Sequence, residues 1–169
     1  LIYLLLYFSL LAGFYLNEDF SLGNRVDYFQ HKISVAMFEK DFIKTLLSFG
    51  EEPTSHSPIF YIFFLFLKKV SFNENIARLI NLHLSLFIPY FFYLCLRLKY
   101  NFHRTNLKSL IPCIIFLSPY FRAGAIWIGS ENISLLFLII SFYFFLKYEF
   151  DKEKNFSNIF LNVLFLACA

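Results

Sequence analysis

Residues 17–20 read NEDF, so Glu18 and Asp19 stand side by side directly after the uncharged run LIYLLLYFSLLAGFYL. A carboxylate in such a place can take the proton of an acceptor hydroxyl, or coordinate a divalent cation, while a lipid substrate approaches from the bilayer. Adjacent residues at a helix end diverge by about 100°, so one of the two faces any given site. The plainer use of the pair is a solvated acidic helix end that orients the chain. His56 offers a phosphate partner, a metal ligand or simply a loop imidazole. Arg78, Arg122 and Glu131 carry charge within or beside apolar stretches, where it is paired, faces a cavity or snorkels to the interface. Arg78 lies near the outer end of its stretch, where snorkelling accounts for it. Arg122 and Glu131 flank AGAIWIGS and can pair with each other or face one outer cavity with Asp19. An arginine there suits an anionic lipid phosphate, which it binds bidentately.

The composition says what kind of elements must position these groups. Of 169 residues 59% are hydrophobic and 22% aromatic, with 26 Phe, and only 16% are charged; the mean hydropathy is +0.60. That balance is a membrane protein's. The net charge of +3 is small, and the basic residues form short clusters between apolar runs, which argues against a nucleic-acid partner. Cys95, Cys113 and Cys168 fall inside apolar runs without paired or metal-ligand spacing, so they read as small apolar residues. There is no phosphate-binding P-loop, no G-x-S-x-G and no H-E-x-x-H. The aromatic runs fit lipid-facing packing and interface anchoring better than sugar stacking.

A helix that crosses the hydrocarbon core needs about 20 mainly apolar residues. This criterion gives an all-α, multispan fold with spans at about 1–16, 76–96, 109–128, 130–146 and 156–169. A cleaved signal peptide is the alternative for the first run, but no basic leader and no small-x-small cleavage site accompany it. Because the chain opens inside one apolar run and stops in another, NVLFLACA, a fragment is expected. Arg97–Lys108 carries four Lys/Arg and no acid, whereas 17–75 carries six Lys/Arg against eight Asp/Glu. The positive-inside rule puts the first segment in the cytoplasm and the second, with NEDF at its head, on the periplasmic or lumenal face. KYEFDKEKN, with three lysines, fits a second cytoplasmic loop.

The outer loop 17–75 is 59 residues long, a size at which loops usually carry function. Val26, Phe29, Ile33, Ala36 and Met37, then Phe42, Ile43, Leu46 and Leu47 after Asp41, have helical spacing, with Gly50 as a C-cap. This predicts one or two interfacial helices over 26–49. Ser57 can cap a second interfacial helix over 58–69 that begins at Pro58. Its apolar part is too short to span, and counting it as a span would turn the basic segment outward.

The order of these features resembles the N-terminal module of the GT-C superfamily of membrane glycosyltransferases, which includes protein O-mannosyltransferases and the aminoarabinose and lipopolysaccharide-core sugar transferases. The resemblance rests on Glu18-Asp19 for the family's acidic pair, on His56-Ser57-Pro58 with Tyr61 for its His/Pro-Pro-aromatic stretch, and on Arg78 with Asn81 in the following span. The segment 118–135 matches the later outer turn, with Glu131 at its acidic position. Two positions depart from the pattern: the acidic pair is reversed from Asp-Glu, and one proline of the Pro-Pro pair, counted as the second, is replaced by Ser57. The resemblance implies an enzyme of the bacterial inner membrane, active on the periplasmic face, that moves a sugar from a polyprenyl-phosphate carrier to a glycan, lipid or protein acceptor by inverting displacement. It implies Asp19 as general base, with Glu18 as the alternative, and substrate contacts from His56, Arg78, Arg122 and Glu131. Arg122, or a residue beyond Ala169, would hold the phosphate. No cofactor is fixed, and a divalent metal serves some members. The reading from another class is a non-enzymatic transporter or flippase segment for a lipid-linked saccharide, with Arg122 and Glu131 as an intramembrane pair, although transporters more often show repeats and broken midplane helices.

Overall fold

The computed structural model describes residues 1–19, 24–49, 56–71, 73–101, 107–151 and 154–169, and the described residues are helical without strands. The expected Gly50 cap and part of the basic segment (102–106) lie outside them. Helix α1, Ile2–Tyr15, ends in a left-handed turn at Asn17 (φ 53°). There the Asn17 N–H reaches Phe14 O at 3.1 Å and the Glu18 N–H reaches Gly13 O at 2.9 Å. This is a Schellman stop, and Asn, with its short polar side chain, tolerates the left-handed backbone it needs. The turn delivers Glu18 and Asp19 to the helix mouth.

Among the described residues, 24–71 form three helices. α2, Asn24–Lys40, buries Tyr28, His31, Val35 and Phe38 along one stripe, and leaves Val26, Phe29, Ile33 and Met37 exposed along another. Of the one or two helices expected over 26–49 there are two: the Asp41 carboxylate accepts the Lys44 N–H at 3.1 Å and starts α3, Phe42–Leu47. α4, Pro58–Val70, begins with Ser57 accepting the Ile59 N–H at 3.3 Å and with Pro58 in the first turn, where its missing N–H costs nothing.

Among the described residues two elements are long and apolar enough to cross a membrane, Glu74–Tyr100 and Ser130–Phe150. The first comprises α5, Glu74–Ser85, capped by Asn73 on the Ile76 N–H at 2.9 Å, and α6, Phe87–Tyr100. The two join at Leu86, three residues before Pro89, which has no N–H to continue the ladder. The expected span at 109–128 is instead two pieces. A 3₁₀ helix, Leu107–Leu117, contains Pro112, and α7, Pro119–Trp127, starts afresh at Ser118, whose Oγ accepts the Phe121 N–H at 3.3 Å. They meet at 73° and count as a third crossing only if the bent pair is one span. The reason is local: a residue before proline is pushed to an extended backbone, and Ser118 has ψ 120°.

α8, Ser130–Phe150, packs along α9, Phe156–Cys168. Ser141 Oγ donates to Asn162 O at 2.9 Å and Asn162 Nδ2 donates to Ser141 O at 2.9 Å, reciprocal bonds of the kind that join helices in lipid. α1 and α9 are apolar but shorter than a crossing needs. The core, including Leu10, Phe38, Tyr61, Leu82, Ile88 and Ile126, lies between α1, α2, α4, α5, the start of α6 and α7.

Candidate functional site: helix ends converging on Trp127

The end of α7 is held by its neighbours' side chains. A helix terminates with carbonyls that have no intrahelical donor. Here Asn81 Nδ2 donates to Gly124 O (3.1 Å) and Ala125 O (2.9 Å), and Arg78 Nε donates to Ile126 O (3.0 Å). One turn earlier, Asn132 Nδ2 donates to Phe121 O at 2.9 Å. A Cβ at Gly124 would come within 3.0 Å of the Asn132 amide, so a glycine lets α8 approach this closely. The chain then turns through Ile128 at φ 57°, ψ 56°, a left-handed backbone that β-branched residues rarely adopt. Full burial of Ile128 and the Gly129 N–H bond to Gly124 O at 2.8 Å hold it there.

Trp127 is fixed by this turn and becomes the hub of the site. Its Nε1–H donates to Glu18 O at 2.9 Å, the Arg78 guanidinium lies 3.7 Å from its ring centroid, and Arg25 lies over it at 5.3 Å. Arg78 is only 4% exposed and also donates from Nη2 to Asn17 Oδ1 at 3.0 Å. Snorkelling therefore does not describe Arg78: it is a buried brace joining α5, α7 and the turn after α1. Asn17 has two roles, as left-handed residue and as acceptor.

Glu18 and Arg122 form a two-pronged ion pair. Arg122 Nε meets Glu18 Oε1 at 2.6 Å and Nη2 meets Oε2 at 2.6 Å. The side chains are 10% and 14% exposed, Glu18 first. Arg122 also donates to Ser9 Oγ (3.2 Å) and Ser9 O (3.1 Å). Its ion-pair partner is thus Glu18, not Glu131, and this arrangement spends most of its donors within the protein. Asp19, half-buried, accepts the Arg25 N–H through Oδ2 at 3.2 Å.

The remaining two candidates sit apart from that pair. His56 Nδ1 shares a 3.0 Å hydrogen bond with Ser130 Oγ, and its ring meets His31 edge-on at 4.8 Å. Ser130 follows Trp127 by three residues, so this second cluster adjoins the first through the α7–α8 turn. Glu131 is exposed and borders a separate recess of about 150 Å³ beside Ser118, Tyr120 and Asn132. The structure thus joins Glu18 and Arg78 to one indole, holds Arg122 on Glu18, places Asp19 next in the chain, puts His56 next door and leaves Glu131 on the flank. Among the described residues no three His, Cys, Asp or Glu side chains are grouped to hold a metal ion.

His31, on α2, carries no motif in the sequence, because a lone histidine on a helix has no pattern. It is 5% exposed, against Phe60 and Tyr61. Burial pushes its imidazole down to about 4; His56 adds to the shift and Asp27 opposes it. An unfolded His31 takes a proton near 6.5, the folded one only near 4. Its contribution therefore leaves stability intact above 6.5 and erodes it as pH falls from there toward 4, by up to about 3 kcal/mol. Unfolding measured between pH 7.5 and 4.5 is expected to lose most of this slope in His31→Phe. An unchanged slope would show that the histidine is already protonated in the fold.

Comparison with known protein families, curated proteins and solved structures finds no match to this chain.

Proposed function

We propose that this chain is the N-terminal part of a multi-pass membrane glycosyltransferase of the GT-C kind, which moves a sugar from a polyprenyl-phosphate carrier to an acceptor at the outer end of its helices. One observation carries the reading: the end of α1, the first turns of α2 and α5, and the end of α7 meet around Trp127, and they bring a carboxylate pair, Arg25 and Arg78 to one mouth, with Arg122 held on Glu18. A lipid-linked donor never leaves the bilayer, so groups that act on its head belong at helix ends.

The geometry divides the acidic pair. Glu18 is committed through both oxygens to Arg122 and through its carbonyl to Trp127, which suits a positioning role. Asp19 is the general base. It takes the acceptor hydroxyl's proton as that oxygen forms a bond to the anomeric carbon, and the bond from that carbon to the phosphate oxygen breaks with its electron pair on the phosphate. Arg25, exposed over Trp127 beside Asp19, supplies positive charge where the phosphate leaves. The apolar stripe on α2 rests on the outer leaflet, in the manner of an interfacial helix. This face is periplasmic, in a bacterial inner membrane.

The test is photo-cross-linking of the full-length protein in bilayers with a polyprenyl phosphate that bears a diazirine next to the phosphate. Label is expected on peptides containing 9–19, 24–32 or 122–132. Label confined to other segments would remove the proposed mouth from the donor's path.

A further inference from the structure

A second cavity, of about 440 Å³, opens between α2, α4 and α5 and is lined by neither residue of the acidic pair. Its size lies within the range of small-molecule sites, about 300–1,000 Å³. The floor is apolar: Val35, Phe64, Ala77 and Ile128. The rim is polar: Lys32 and Lys68 with Ser71, Asn73 and Glu74. We infer that this cleft binds a neutral saccharide, and, resting on the glycosyltransferase reading, that the saccharide is part of the acceptor.

Charge balance decides the ligand class. Lys32 is paired with Glu74, and Lys68 with Glu39 at 2.7 Å. An anion would have to displace a carboxylate from each lysine before it gained anything. A sugar hydroxyl both donates and accepts, so it can bridge an ammonium and a carboxylate that are already side by side. An ammonium has three donors and a carboxylate several acceptor positions, so a pair joined by one bond keeps capacity for hydroxyls. The C–H face of a pyranose then finds the apolar floor. The cleft also has the right address. Tyr28 lines it and packs on Trp127 with ring centroids 5.9 Å apart, and Ile128, in its left-handed turn, forms part of the floor. A chain bound there lies next to the mouth that holds Asp19.

The experiment is calorimetric titration of the full-length protein in nanodiscs with maltose, lactose and methyl α-mannoside, with inorganic phosphate as competitor. At least one saccharide is expected to bind, with Kd raised tenfold or more by Lys32→Met and by Ser71→Trp, which puts a large ring in the cleft while keeping all four ion-pair residues, and with no displacement by phosphate. Failure of all three saccharides to bind, binding unchanged in Ser71→Trp, or displacement by phosphate would overturn the inference. The two proposals fail separately. Saccharide binding without transfer from any polyprenyl-phosphate donor keeps the cleft and sinks the enzyme, whereas transfer without saccharide binding does the reverse.

Discussion

Arg122→Met is expected to destabilise the protein by about 3–5 kcal/mol, the range seen when one partner of a buried ion pair is removed. The argument is desolvation: the Glu18 carboxylate, 10% exposed, would keep its charge while losing both 2.6 Å bonds. Loss of the bonds to Ser9 would also loosen α7 from α1. Glu18→Gln combined with Arg122→Met is expected to recover more than half of the loss, because no charge is then stranded. Arg122→Lys is not conservative here, since a single ammonium cannot serve both Glu18 oxygens and Ser9 together. Gly13→Ala attacks the same pair from the other side. Its Cβ would collide with Glu18 Oε2 and come within 3.0 Å of Arg122 Nη2. Unfolding of the purified protein in mixed micelles checks all four variants. A loss below about 1 kcal/mol for Arg122→Met would place the pair among solvent-screened surface bridges.

Asp19→Asn is expected to lower turnover by about 10²–10⁴-fold, the usual contribution of a positioned general base. Stability should change by about 0.5 kcal/mol or less, since an asparagine oxygen still accepts the Arg25 N–H. Glu18→Gln separates the two acids: it should lower stability and activity together, because Glu18 acts through Arg122 and the turn. If Glu18→Gln abolished turnover in a fully stable protein while Asp19→Asn did not, the roles assigned to the two carboxylates would be exchanged.

How much of this was legible from the residues depends on the range of the interaction. The start of α4 at Ser57-Pro58 follows from side-chain type alone, because capping and a fixed proline φ are local. The same Ser-Pro pair recurs at 118–119, where it breaks the stretch expected to be one span at 109–128; hydropathy, averaged over a window, hides such a joint. The adjacency of Glu18 and Asp19 to the end of a helix is equally local. Their inequivalence is not, because it comes from Arg122, 104 residues away. Arg122 seemed as well placed for Glu131, and only the course of α7 decides between them. Asn17 and Trp127 stand in no motif of the sequence. An asparagine after a helix, where a left-handed residue is wanted, and the single tryptophan of the sequence beside two glycines were the available signals. The buried state of Arg78 had none, since a charge near a span end looks the same whether it snorkels or braces a core.

The central claim is that the mouth around Trp127 makes a glycosidic bond instead of passing a lipid across the bilayer. The most direct measurement supplies sealed, right-side-out vesicles carrying the full-length protein with polyprenyl-phosphate-linked radiolabelled sugars, together with outer-membrane glycolipid and periplasmic protein as acceptors. The account predicts label in a new glycan, lipid or protein product on the outer side, formed by the wild type and nearly absent with Asp19→Asn. Label that stays on its carrier, or crosses to the lumen still attached to it, equally in both proteins, would contradict the account.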